Sequence, residues 1–213
     1  QAYDTAAYKC AADDLLLGHG VDLLFHALGA GVIMEPDDTI RALILETKSG
    51  RMAVLGRMFI DCSGDGDLAA WSGAPFELGD GRGSMLYPTM MFRVNGVDPA
   101  AAGEAWLTVP RLMDEAETRG MRFPRKKPVV RPQKNPIEWR VNVTQMKKPD
   151  GSALNGADVD ELTAGEIEGR RQAMEFFEFL KREAPGFGNS YIVDTPPQLG
   201  IRETRRVTGG YQL

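Results

Sequence analysis

The chain has 213 residues, a formal net charge of −5, 43% hydrophobic and 26% charged residues. This is the composition of a globular protein, and its acidic balance excludes a general nucleic-acid binder. Two cysteines are too few for a disulfide scaffold, and two histidines without a Cys/His cluster argue against a structural metal site. No apolar run approaches the roughly 18 residues that span a bilayer, so no membrane role is expected. The length suits one large domain or two modest ones, burying roughly 70% of the unfolded surface. Cysteine usage this sparse fits a reducing, cytoplasmic location, with Cys10 and Cys62 read as small buried apolar residues.

Asp4 or Thr5 is the expected N-cap of a helix running to about Leu17, with Gly18 and Gly20 ending it. Residues 21–25 read as a short apolar strand, with His26 at its end in a packing or solvent-facing role. Residues 32–35, 40–47 and 52–61 read as further strands, joined by Pro36-Asp37-Asp38 and Lys48-Ser49-Gly50. Connections this short make the strands antiparallel neighbours.

The densest chemistry lies at residues 57–79. An apolar strand ends at Ile60-Asp61 and enters the turn Ser63-Gly64-Asp65-Gly66-Asp67. A short helix, Leu68 to Ser72, then stops at Gly73. Strand, glycine turn and helix bring backbone close to a nucleotide cofactor in α/β proteins, where a side chain would block the approach or forbid the turn. Asp67 is expected to cap the helix, accepting from its free amides. A carboxylate there suits ribose or ribityl hydroxyls better than pyrophosphate. The competing reading is that both aspartates only cap and turn the chain.

Residues 85–94 are strand-like, with Met85, Met90 and Met91 as core fillers or the lining of an adaptable pocket. Residues 99–120 read as a helix broken by Pro110. Residues 123–136 hold five basic residues (Arg125, Lys126, Lys127, Arg131, Lys134), four prolines and no acid. They are either a solvated loop or a lip that attracts an anionic substrate. A long helix is expected over 163–183, with Thr163 and Glu166 as a capping box and Ile167, Met174, Phe177 and Leu180 on its apolar face, widened by Phe176 and Phe179. Pro185-Gly186 ends it, and residues 191–193 begin a strand. Residues 199–207 hold Arg202, Glu203, Arg205 and Arg206; if extended, Arg202, Thr204 and Arg206 share one face. Either Glu203 pairs with an arginine and the rest are solvated, or Arg202 and Arg206 hold a carboxylate or other oxyanion.

Asp61-Cys62-Ser63-Gly64-Asp65-Gly66-Asp67 is similar to the D-A-T-G-D-G-D segment of the FAD-dependent oxidoreductase family with a glutathione-reductase-like FAD-binding fold. Asp194 to Tyr211 is similar to that family's G-I-R-E-[ST]-R-R-x-x-G-x-Y segment. Weaker similarity joins them at Met91-Phe92-Arg93, Gly96-Val97-Asp98, and Leu162-Thr163 through Gly169-Arg170-Arg171. The resemblance implies an α/β fold: residues 1–80 as the C-terminal part of a Rossmann-like FAD-binding domain with an antiparallel meander. Residues 81–194 would be an α+β substrate domain on a mixed sheet, and 195–213 a strand returning toward the cofactor. It implies FAD as cofactor, the backbone of Ala27 and Leu28 against adenine, and Ser63, Gly64, Asp65, Gly66 and Asp67 along the ribityl or ribose chain. Arg202 and Arg206 would be the catalytic pair beside flavin and substrate.

The family's opening G-x-G-x-x-G does not occur in these 213 residues; Gly79-Asp80-Gly81-Arg82-Gly83 lacks the spacing. The chain therefore reads as an internal fragment without the first nucleotide-binding unit and the C-terminal FAD segment, inactive alone. The expected function is hydride transfer between flavin N5 and a small organic substrate, an anionic one if the basic loop serves it. The alternatives are a non-catalytic remnant and an anionic-metabolite-binding module without redox activity.

Overall fold

The computed structural model describes residues 4–81 and 85–211; Arg82 and Gly83 of the glycine-rich stretch lie outside them. In chain order the elements are α1 (Thr5–Gly18), β1 (Ala27–Met34), β2 (Ile40–Thr47), β3 (Gly50–Leu55), α2 (Asp67–Trp71), β4 (Phe76–Leu78) and β5 (Phe92–Asn95). There follow α3 (Pro99–Ala102), α4 (Ala105–Thr118), β6 (Val129–Pro132), β7 (Trp139–Asn142), α5 (Val159–Glu183), β8 (Tyr191–Asp194) and β9 (Arg205–Val207). They form two compact units, residues 4–81 with 205–211, and residues 85–204. Among the described residues no helix is long and apolar enough to cross a membrane.

In the first unit, Asp4 caps α1 as its sequence implies: its Oδ1 accepts from the amides of Ala6 at 2.9 Å and Ala7 at 3.1 Å. Residues 21–26 are not a strand. Apolarity alone does not make one without a ladder partner, and His26 at φ 55 turns the chain out of extended geometry just before β1. The meander follows, antiparallel throughout, in the order β1-β2-β3. β1 begins earlier than expected, at Ala27 opposite Thr47, and carries a bulge between Gly29 and Gly31. β3 stops at Leu55 rather than Asp61. Residues 56–62 pair with no strand among the described residues, and Met58 and Ile60 are each 81% exposed. Both cysteines are exposed, contrary to expectation: Cys10 lies on the open surface of α1 and Cys62 in the turn after Asp61. β4 pairs with β9, placing Glu77 opposite Arg206 and Leu78 opposite Arg205.

The second unit is built on a four-stranded sheet, β6-β7-β5-β8, whose ladders are all antiparallel. The expected strand over 85–94 is shorter, because residues before Phe92 make only the isolated bridge Thr89 to Gly200. The basic stretch 123–136 is not all loop: Val129 to Pro132 pair with β7. One face of the sheet, with Phe92, Val94, Val130, Trp139 and Val141, packs in one cluster with Val109 and Met113 of α4 and Ala173, Phe176, Phe179 and Leu180 of α5. Pro110 does not break α4. The interruption is at Gly103, φ 47, between α3 and α4, and burial of Ala105, Val109, Met113 and Ala116 holds the helix through the proline.

α5 starts four residues earlier than its expected capping box. Asp158 is the cap, accepting from the amides of Asp160 and Glu161 at 3.0 and 2.9 Å, and Thr163 Oγ1 donates to Val159 O inside the helix. Glu166 instead accepts from the Leu199 amide and pairs with Arg170. Its buried face is also shifted: Ile167 and Met174 are exposed, while Gly165, Gly169, Ala173, Phe176 and Leu180 are buried. Small residues are needed because a Cβ at Gly165 would lie 2.6 Å from Leu154 Cδ1 and 2.8 Å from Leu199 Cδ2.

Candidate functional site

The Gly-Asp turn in the first unit is organised by Asp61. Its Oδ1 accepts from the amide and hydroxyl of Ser63 at 3.0 and 2.7 Å, and its Oδ2 accepts from the Ala69 amide at 3.1 Å. Ser63 Oγ in turn accepts from the Asp67 amide at 3.1 Å. The first amides of α2 are thus served from four and eight residues upstream, by Ser63 and Asp61, not by the Asp67 side chain. Gly66 is the N-cap residue, with φ 64 and no side chain to offer, and Asp67 is the first residue of the helix. Partial burial pushes the Asp61 carboxyl up. Hydrogen bonds from the Ser63 hydroxyl and the Ser63, Ala69 and Leu68 amides outweigh it and hold the group below the ordinary carboxylate range.

Asp67 does something else. Its Oδ1 accepts from Arg205 Nη1 at 2.6 Å, and the same nitrogen donates to Asp65 O at 3.2 Å. Arg205 also lies 5.6 Å over the Phe76 ring. The Gly-Asp turn and the terminal arginine segment, far apart in the chain, therefore meet in one unit through a half-buried ion pair and the β4–β9 ladder. Gly66 belongs to this junction, since a Cβ there would lie 3.1 Å from Val207 Cγ2. At Gly64, φ 87, a Cβ would meet nothing within 4 Å. Ser63 and Gly64 are exposed, so the turn presents an open backbone edge.

The remaining predicted residues are placed as follows. Ala27 and Leu28 begin β1, opposite Thr47 and Glu46. With His26 and Lys48 they line a shallow open depression, and the Leu28 side chain is exposed. Arg206 stands in β9, its guanidinium bonded to Gly79 O and 3.5 Å from Glu77. Arg202 belongs to the second unit and is exposed, lining a depression with Thr89, Met91, Pro196, Gly200 and Ile201. Regular strand geometry begins only at Arg205, so the expected alternation of faces from Arg202 to Arg206 does not run through the segment. Asp61 and Arg205 are the organising residues that sequence reasoning passed over. The D-x-S spacing of Asp61-Cys62-Ser63, an Asx-turn signature, was the available signal for the first.

A tight glycine turn beside a short helix, an antiparallel meander and a separate sheet-and-helix unit make this a mixed α/β protein with antiparallel sheets. The family model for FAD-dependent oxidoreductases matches the chain over residues 1–213, and the chain belongs to that family. FAD is the cofactor that membership implies. No curated protein and no solved structure gives a match. The turn suits such a group. Its exposed edge at Ser63 and Gly64 has room for a ligand chain, and its carbonyl, hydroxyl and carboxylate oxygens can accept from sugar or ribityl hydroxyls. Asp67 is committed to Arg205, which leaves the backbone and hydroxyl groups of 63–66 as the better-placed contacts.

Proposed function

We propose that this oxidoreductase passes hydride between a small organic substrate and flavin N5, and that the turn of the first unit holds part of the cofactor. FAD supplies the redox chemistry when bound. The chain's residues supply position and charge. Ser63, Gly64, Asp65 and Gly66 line the hydroxyl-bearing part of the cofactor; Asp61 and the Arg205–Asp67 pair keep that turn in shape. Ala27 and Leu28 offer backbone to the adenine ring. Arg202 binds the substrate through its guanidinium, and Arg206, held by Gly79 O, contributes positive charge at the end of the first unit.

The observation that carries this reading is the junction of the Gly-Asp turn with the terminal arginine segment through Arg205, together with family membership over the whole chain. The test begins with flavin absorbance in the purified protein, followed by anaerobic mixing with candidate small organic acids while bleaching is followed. Arg202→Gln is expected to slow flavin reduction while leaving FAD affinity nearly intact. Unchanged reduction kinetics in that variant would remove Arg202 from the reading, and a protein that takes up no FAD would remove the redox assignment itself.

A further inference from the structure

The second unit draws together two basic segments that are separate in the sequence. Glu203 Oε2 accepts from the Leu86 amide at 3.0 Å, fixing the segment that carries Arg202 beside residues 86–87. The Tyr87 ring lies 5.6 Å beneath Lys147 Nζ, and that ammonium donates to Pro124 O at 3.4 Å, next to Arg125. Arg125 Nε donates to Lys127 O at 2.9 Å, which orients its guanidinium and leaves the two terminal nitrogens for another acceptor. Burial first, and the charge of Arg202 second, hold the Arg125 pKa below its ordinary value. Arg202 lines a depression of about 410 Å³ with Thr89, Met91, Pro196, Gly200 and Ile201. Among the described residues no carboxylate forms an ion pair with Arg125, Lys147 or Arg202, whereas Arg93, Arg119, Lys126, Lys148, Arg170 and Arg171 of the same unit all have one. Like charges gathered this way cost free energy until an anion joins them.

We infer that Arg125 and Arg202, with Lys147 beside them, form a binding site for an oxyanion, the carboxylate or phosphate group of a small molecule. The inference names the substrate class for the function proposed above and rests on that reading only for the word substrate; the anion site stands on its own geometry. Guanidinium groups bind carboxylate and phosphate alike through paired N–H donors, and the positive charges of both segments attract such an anion. Arg131, from the same basic stretch, is not part of the site, because it lies 5.2 Å over the Trp106 ring.

The experiment is thermal unfolding and isothermal titration of the protein with sodium malonate and with sodium phosphate, at ionic strength held constant with chloride. Saturable binding of either anion is expected. Arg125→Gln and Arg202→Gln should each weaken it about tenfold or more; Arg202→Lys should recover part of the loss, and Arg119→Gln should leave binding unchanged. Malonate as the tighter probe would mark a carboxylate substrate, and phosphate as the tighter a phosphorylated one; both outcomes support the site. Non-saturating responses equal to chloride, or full binding by the Arg125→Gln/Arg202→Gln double variant with a wild-type melting profile, overturn it. Flavin absorbance read on the same sample separates the two proposals. Anion binding without flavin keeps this site and removes the redox reading, while flavin without anion binding does the reverse.

Discussion

The two units use the same kind of elements but are held together differently. The second buries two apolar clusters, with Trp139, Phe92, Phe176, Phe179 and Phe187 shielded almost completely. In the first, only Ala42 and Leu45 are buried hydrophobic residues among those described, and β3 is exposed along its whole length. Its order comes from ladders, caps and ion pairs: the meander, the Asp61 network and the Arg205–Asp67 link. A region built on burial resists change at its apolar positions. A region built on polar contacts is sensitive at particular carboxylates and arginines.

The largest effect that tests this contrast is truncation of the second unit's core. Phe179→Ala removes a ring that packs edge-on to Phe123 at 5.0 Å and stacks with Phe176 at 5.6 Å. It should cost about 3–5 kcal/mol. Leu55→Ala in β3, where the side chain is exposed, should change stability by no more than about 0.5 kcal/mol. Denaturant unfolding of both variants measures the pair. Equal losses would mean that the first unit buries β3 against something these contacts do not include.

Next in size is the junction of the two motif segments. A double-mutant cycle on Arg205→Ala and Asp67→Ala should give a coupling of about 1 kcal/mol, since the pair is only half-buried and partly solvated. Arg205→Ala should also weaken FAD binding, because it releases Asp65 O as well as Asp67. A coupling near zero would leave the β4–β9 ladder and the Arg205 bond to Asp65 O to tie the segments together.

Legibility followed the same division. The meander could be read from its turns, since Pro36-Asp37-Asp38 and Lys48-Ser49 leave no choice but antiparallel neighbours. The Gly-Asp turn could be read from its glycines, both of which take positive φ. What misled was local plausibility without knowledge of partners. Residues 21–25 and 56–61 are apolar enough for strands but have no ladder, and Asp67 is well placed to cap α2 but is taken by Arg205. The cap came from Asp61, whose contact with Ala69 spans the whole turn. β6 and β7 went unread because prolines and basic residues masked a pairing that Val130, Trp139 and Val141, facing the core, make worthwhile.

Asp61→Asn is the third test, with an expected loss of about 1 kcal/mol, that of a capping carboxylate. It also carries a pH signature. The Asp61 carboxyl is held below its ordinary value of 3.8, so its contribution is complete above that value and is lost as pH falls through the lower, folded one. The wild type should therefore lose stability in the first unit below about pH 4 more steeply than Asp61→Asn, which cannot titrate there. Identical acid limbs, followed by thermal unfolding from pH 6 downwards, would show that the network does not discriminate the charged form.

The smallest effect separates a real cap from an apparent one. Thr163 and Glu166 have the spacing of a capping box, yet α5 runs through them and Thr163 Oγ1 is spent on the helix's own Val159 carbonyl. Replacing a β-branched residue by alanine inside a helix gains propensity, roughly offsetting that bond, so Thr163→Ala should move stability by no more than about 0.5 kcal/mol. Asp158→Ala leaves the Asp160 and Glu161 amides without their acceptor and should cost about 1 kcal/mol. The helix packs on the main cluster through Phe176, Phe179 and Leu180, near its far end. The loss should therefore appear as fraying, read by faster amide exchange in residues 159–163 with little change at 173–180. If Thr163→Ala proved the costlier of the two, the helix would start at Thr163 in solution, and residues 159–162 would be its leader rather than its first turn.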